Sequence, residues 1–388
     1  MVFGCIGWAS TWPDVAQAEA PGQDASAEVT VKQIMDAWYA RHDRIQSARF
    51  KFTEELVLMP GSQSGRNDHG GSFPAEPVTL VRDHEVVIKD LRFRHDRRGD
   101  NWHPGAEGPL PEHFVKVTNG QRDLTSFGYQ ERTDQVYPRA FVAASDPEKA
   151  GMLIGQGGPV WPIFHTYRAR HPRLGHGRPD GASGLAYNAA AYRLLEREGT
   201  INGRRCLILD EIANAEIGQP HRIWVDPERD FCAVRDEAGM RDLVLFQIDV
   251  EYEQDESGLW IPMRWARQMH AEHVSGGRVL QTSATYTVTE YALNPPVDDT
   301  IFEFEPPSGA MVDDHMSGKR EMYLARDSGP RPITEGELLR GARYSDLMKT
   351  RSGEALLAPG QHSWRWMWLG LVIALGGLGW LLWRRRFA

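Results

Sequence analysis

The chain has 388 residues with 44 basic and 53 acidic side chains, a formal charge of −9, and three cysteines. With 41% hydrophobic and 25% charged residues the balance is that of an ordinary globular protein. The acidic excess argues against a broad basic face, so no nucleic-acid partner is expected. Three cysteines are too few for a disulfide scaffold or a cysteine-based zinc module.

The first elements concern export and a core helix. Met1 to Trp12 is short and apolar, and Ala16-Gln17-Ala18 and Ala18-Glu19-Ala20 have the form of signal-peptidase sites. Residues 1–20 therefore read as a signal peptide, truncated or degenerate because no Lys or Arg precedes the apolar stretch. Thr30 and Gln33 have the spacing of a capping box, and Val31, Ile34, Met35, Trp38 and Ile45 fall on one face of the helix that follows.

From residue 48 the period becomes two. Phe50, Phe52, Leu56 and Leu58 alternate with Arg49, Lys51, Thr53, Glu55 and Val57, the pattern of a half-buried antiparallel strand. Glu54 interrupts the apolar face, either at the rim of a cavity or at an exposed strand position. Pro60 to Pro77 reads as a long loop, and Asn119-Gly120 and Asn202-Gly203 read as type I′ hairpin turns. Asp146 to Gly184 is an insertion rich in Gly, Pro and His, with a short helix expected near Glu148 to Ile154 and aromatics at Trp161, Phe164 and Tyr167. It reads equally as a lid or plug and as a surface insertion.

Strand patterns then run almost to residue 305. Asp226 to Asp230 is a tight turn between two β-rich runs. Val244, Phe246, Ile248, Val250 and Tyr252 alternate, then Leu259, Ile261, Met263 and Trp265, then Leu280, Ala284, Tyr286 and Val288. One apolar and one wet face per strand predicts a mainly β (α+β) fold, with a single curved antiparallel sheet and no βαβ units. Ser308 to Pro332 is polar and reads as linker, with a short amphipathic helix expected over Ile333 to Met348 before the C-terminus.

Trp366 to Trp383 is an uncharged run of 18 residues followed by Arg384, Arg385 and Arg386. As a helix it is about 27 Å long, close to the hydrocarbon thickness of a bilayer. Tryptophans flank both ends, and the arginines place the C-terminus in the cytoplasm and the rest of the chain outside, in the periplasm. A single-pass cell-membrane protein is expected, with the anchor at 364–386 and a polar linker at 315–363.

Catalytic and metal signatures are missing from the sequence. His165, His171 and His176 match neither H-E-x-x-H nor a facial triad and are expected as solvated loop histidines. His270 and His273 point to opposite faces of a strand. The glycines from Gly151 to Gly158 lack the Lys-Ser/Thr of a phosphate loop, and no G-x-S-x-G is present. Asp298-Asp299 and Asp313-Asp314 read as turn carboxylates. Cys206 and Cys232 fall on strands separated by a third, beyond disulfide reach, so both are expected as buried free thiols. No enzyme activity, metal or cofactor is expected.

Four segments resemble the LolA/RseB-like family of envelope proteins. They are the helix running into a long strand (VKQIMDAWYARHDRIQSARFKFTEE), the hairpin VKVTNGQRDLTSF, the W-V-D-P hairpin RIWVDPERDFCAVR, and the closing segment ATYTVTEYALNPPVDDTIFEFEPPSGAMVDD. The resemblance covers about residues 29 to 314. It implies a half-barrel wrapped around a few helices, with an apolar concave face for a lipid or an acylated protein. Phe50, Phe52, Leu56, Phe246, Ile248, Val250, Ile261, Met263, Trp265, Tyr286 and Val288 are the wall residues expected, although the same side chains also suit plain core. The alternative within the family is a sensor acting on a membrane-protein partner. Soluble carriers of the family have no anchor, which puts a shuttle role in doubt here.

Overall fold

The computed structural model describes residues 29–60, 74–90, 92–102, 108–131, 135–144, 158–167, 189–216, 218–240, 243–272, 277–339 and 341–349. The signal peptide, the loop at 61–73, the helix expected at 148–154, His171, His176, His273 and the apolar run with its arginines lie outside them. Among the described residues no helix is long and apolar enough to cross a membrane.

In chain order the elements begin with α1 (Val31–Arg44), β1 (Ser47–Leu58), β2 (Val78–Lys89), β3 (Arg92–Asn101), β4 (Leu110–Thr118), β5 (Arg122–Glu131) and β6 (Gln135–Ala144). Next come α2 (Trp161–Tyr167), β7 (Tyr192–Leu194), β8 (Gly199–Ile201), β9 (Arg204–Glu211), α3 (Ile212–Glu216), β10 (His221–Asp226) and β11 (Cys232–Met240). The last are β12 (Leu243–Gln254), β13 (Trp260–Glu272), β14 (Arg278–Leu293), β15 (Met311–Asp314), β16 (Glu321–Leu324), β17 (Arg331–Pro332), α4 (Glu335–Leu339) and α5 (Tyr344–Lys349). The fold is mainly β with few helices, as the alternation requires.

The chain divides into two compact units where a single domain over 29–314 was expected. Of the described residues, one takes those in 29–60, 74–86 and 158–296, the other those in 87–144 and 297–349. In the first, strands neighbour one another in the order β2, β1, β14, β13, β12, β11, β10, β9, with β7 and β8 both against β9. Every register resolved there is antiparallel. Such an open sheet is consistent with a half-barrel. Helix α1 starts at Thr30, whose hydroxyl accepts from the Gln33 amide while the Gln33 side chain accepts from the Thr30 amide. Its buried stripe of Ile34, Met35 and Trp38 lies on the sheet, where the Trp38 indole donates to the Phe231 carbonyl at 2.6 Å.

Turn chemistry explains two further features of this unit. Asn202 and Gly203 both have positive φ, 51° and 76°, and join β8 to β9 as a two-residue I′ hairpin. Asp226 ends β10 by accepting from the Glu228 amide, and its carboxylate also holds Arg204. The preceding Trp224 lies so close over Gly199 that a Cβ there would sit 1.9 Å from its ring. Cys206 and Cys232 are buried free thiols. Desolvation raises both to about 11.

In the second unit β3, β4, β5 and β6 form an antiparallel meander. Asn119-Gly120 is not a I′ turn, because only Gly120 has positive φ. The Asn119 side chain instead accepts from the Gln121 and Arg122 amides. β15 pairs with β6 in parallel, a departure from the expected all-antiparallel sheet. The strand returns after a long excursion through the other unit, so no hairpin sets its direction. Phe302, from the F-x-F segment, is buried against Val87, Val115 and Val117, and Phe304 packs beside it.

Residues 315–349 are folded where linker was expected. Leu324, Ile333 and Leu347 form a buried cluster, and α4 and α5 replace the one helix expected over 333–348. Positive φ at Gly341 marks the break between them. Asp299 pairs with Arg92 and Lys89, whereas Asp313, expected in a turn, is a buried residue of β15 that pairs with Arg320 and His315.

Gly199→Ala is expected to push the Trp224 ring off β8 and cost about 1–3 kcal/mol. Its denaturation midpoint should fall with the slope unchanged, whereas wild-type stability would show that the indole has room to move.

Candidate functional site

The face of the first sheet that carries α1 and α2 is called the inner face below. On β1 it presents Phe50, Phe52, Glu54 and Leu56. Their partners on β14 are Tyr291, Val288, Tyr286 and Ala284 in turn. Trp265 and Arg267 of β13 continue the rows, then Val250 and Ile248 of β12, and Ile248 meets Asp236 of β11. Register thus brings most of the expected wall residues together.

Phe50, Phe52, Leu56, Ile248, Val250, Ile261, Trp265, Tyr286 and Val288 are all buried, and Phe246 and Met263 are half-buried. Strict alternation fails on β13. A bulge sets Arg264 against Glu251 and Pro262 against Tyr252, which leaves Met263 between the paired positions and puts Ile261 out of phase with Trp265.

The wall is packed. Phe52 meets Trp265 edge-on with ring centroids 5.0 Å apart, and Trp265 stacks on Tyr286 at 5.3 Å. At the other end of the face the chain itself supplies the cover. Every side chain of α2 is buried, and Tyr167 stacks on Phe50 at 5.8 Å. The Tyr167 hydroxyl donates to the Trp260 carbonyl, and the Thr166 hydroxyl meets the Tyr252 hydroxyl at 3.2 Å. The described part of the 146–184 insertion is therefore interior and not a surface addition. His165, expected as a solvated loop histidine, is buried edge-on to Trp38 at 4.3 Å, because the insertion folds into α2 at that point.

Two charged clusters, neither read from the sequence, occupy the remainder of the inner face. Glu54 is only 2% exposed, which rules out both the rim and the exposed strand position. Its carboxylate accepts from Arg82 at 3.2 Å, His84 at 3.1 Å and the Tyr286 hydroxyl at 2.8 Å, with Arg267 at 3.9 Å. Burial pushes the carboxyl upward, but His84, Arg82 and Arg267 outweigh it and hold Glu54 well below the usual carboxylate range. His84 also stacks on Phe52 at 4.6 Å, so the cluster is built into the aromatic packing.

The second cluster spans three neighbouring strands. His221 of β10 bonds Glu211 of β9 through Nδ1 at 2.8 Å and Asp236 of β11 through Nε2 at 2.6 Å. With a carboxylate at each ring nitrogen both nitrogens donate, so the imidazole is held as the cation. Burial alone would lower its pKa, but Asp236 and Glu211 push it up to about 10. Both ring nitrogens are bonded to carboxylates, so the histidine ties β9, β10 and β11 together. The arrangement is a structural clamp. The sequence signal for both clusters was a charged residue at an apolar position of a strand, as at Glu54.

No family model matches the chain, and no curated protein matches it. Among solved structures it is similar to a candidate outer membrane lipoprotein-sorting domain from Vibrio parahaemolyticus, at 12% identity over 71% of this chain and 96% of that one, with a TM-score of 0.39. A LolA superfamily protein from Nitrosomonas europaea gives 14% identity over 71% and 99%, with a TM-score of 0.36. MucB gives 11% identity over 70% and 62%, with a TM-score of 0.24. Likeness at this level carries neither fold nor chemistry over to this chain, whose architecture rests on its own strand pairing.

Replacing Glu54 with Gln leaves Arg82 and His84 buried beside a neutral group and should cost about 3–5 kcal/mol in denaturant unfolding. Because the folded-state pKa is lowered, the Glu54 contribution is fully present above pH 4.5 and lost as the pH falls below it. The acid limb of the stability profile should therefore flatten in the variant; an unchanged limb would refute the pairing. For His221 the sign is opposite. Its raised pKa stabilises the fold fully below pH 6.5, and that contribution is lost as the pH climbs toward about 10. His221→Gln should remove this alkaline loss, read as the midpoint difference between pH 6 and pH 10.

Proposed function

We propose that the protein is a non-enzymatic, membrane-anchored envelope module that takes an acyl chain of a lipid or lipoprotein on the inner face of its first unit, in the place held by α2. The observation that carries this reading is α2 itself. A seven-residue helix with every side chain buried covers part of the face built from Phe50, Tyr252 and the neighbouring aromatics. It belongs to an insertion and not to the meander, so its departure breaks no strand pairing. An apolar strip vacated in this way gains about 0.8 kcal/mol for each methylene buried in return. The resemblance of the four sequence segments to the LolA/RseB-like family supports the same reading. The apolar run at 366–383 with Arg384, Arg385 and Arg386 supplies the anchor, with the folded units on the periplasmic side and residues 1–20 as the export signal.

The alternative is a sensor that acts on a membrane-protein partner. The two buried charge clusters favour it, because they occupy inner-face area that a long acyl chain would otherwise use.

A reversible tether separates these readings. Phe50→Cys with Tyr167→Cys replaces two stacked rings by thiols that can pin α2 to β1. In proteoliposomes, a photoactivatable fatty acid should label β1, β12 and α2 of the full chain. Labelling should be lost in the oxidised double variant and return on reduction. Equal labelling with α2 pinned and free would refute displacement, and absence of labelling in every form would leave the sensor reading.

A further inference from the structure

On the opposite face of the first sheet, away from the clusters and α2, lies a cavity of about 270 Å³ lined by Arg197, Arg222, Glu237, Pro220, Gly239 and Leu243 among others. We propose that it is a binding site for a phosphate ester, the phosphoryl group held between Arg197 and Arg222. The proposal goes beyond the acyl-chain reading and does not depend on it, since it uses neither the inner face nor its residues.

Three observations carry the assignment. First, the cationic groups are available. Arg197, on the connection between β7 and β8, is exposed and has no ion-pair partner among the described residues. Arg222 of β10 has its Nε 3.4 Å from Asp210, but the two atoms are not aligned for a hydrogen bond and that nitrogen is buried without a partner. Arg193 takes the other oxygen of Asp210, Oδ2, through two nitrogens, so Arg222 shares this carboxylate through Oδ1 and makes no hydrogen bond to it. A guanidinium fork in this condition is suited to a phosphoryl oxygen.

Second, the carboxyl in the cavity sits beside cations and is largely cut off from water. Glu237 lies across from Arg222 in strand register and is mostly buried, with Arg235 its nearest cation at 3.4 Å. Desolvation raises its pKa against the pull of Arg235 and Arg222, which weakens its repulsion of an anion in the cavity.

Third, the wall is rigid. The Gly239 amide donates to the Pro220 carbonyl at 3.0 Å, and a Cβ at Gly239 would lie 2.0 Å from the Leu243 carbonyl. The backbone there cannot close the space with a side chain. Leu243 and Val244 give one apolar side for the carbon part of an ester. In a chain of net charge −9, a pocket lined by Arg197 and Arg222 selects an anion by local geometry and not by overall field.

The test is calorimetric titration of the full chain in a nonionic detergent with inorganic phosphate, glycerol 3-phosphate, dihexanoyl phosphatidic acid and glycerol. Both esters should bind by about 1 mM and glycerol should not. Arg197→Ser and Arg222→Gln should each weaken ester binding at least tenfold, while Glu237→Gln should bind as well as wild type or better. Arg197 is exposed, so its variant keeps the test clear of misfolding. Phosphatidic acid binding tenfold or more above glycerol 3-phosphate would identify a lipid headgroup as the source, and equal affinities a soluble ester. Failure of both esters at that concentration, binding of inorganic phosphate alone, or wild-type affinity in the two arginine variants would overturn the proposal.

Discussion

One face of a long antiparallel sheet must be kept from water, and in this protein that requirement organises the first unit. Two helices meet it at one end. Trp38 of α1 and the aromatic side chains of α2 close over Phe50 and Tyr252; the Thr166 and Tyr167 hydroxyls and the Trp38 indole find carbonyl or hydroxyl partners, while the Trp161 indole nitrogen is buried without a hydrogen bond. Burying polar tips without such partners would cost more than the apolar contact returns. The placement of α2 thus rests on apolar area, with the Thr166 and Tyr167 hydrogen bonds offsetting part of the polar cost.

Where the helices do not reach, charge takes their place. Glu54 with Arg82 and His84, and His221 with Glu211 and Asp236, are each assembled across neighbouring strands. A buried ion cluster contributes little net stability against well-packed apolar groups, yet losing one member is costly. Such clusters therefore act mainly on register. A one-residue slip of β10 would turn His221 to the opposite face and strand two carboxylates in the interior. The same constraint limits what the inner face can accept, because a ligand there must lie beside fixed charges or displace α2.

The second unit is held by a different device. Phe302 and Phe304, four-residue β15 and the small cluster around Leu324, Ile333 and Leu347 draw the segment after residue 296 onto the β3–β6 meander. Arg92 over the Phe302 ring and Arg122 to Glu305 fasten the same stretch from outside. A polar composition did not prevent folding here, because a few well-placed apolar residues between turns suffice once a sheet edge is available for pairing.

The sequence by itself determined the local elements. The capping box at Thr30 and Gln33, the alternation of Phe50, Phe52 and Leu56, the I′ turn at Asn202-Gly203 and the separation of Cys206 from Cys232 all follow from rules that act over a few residues. Tertiary structure alone decided the rest. Whether an apolar alternator lines a cavity or a filled interior depends on what packs opposite, and α2 lies over a hundred positions from Phe50. The parallel docking of β15, the partners of Glu54 and the clamp on His221 likewise join residues far apart in the chain. Periodicity reports which way a side chain points from its own backbone, but it holds no information about what meets it there.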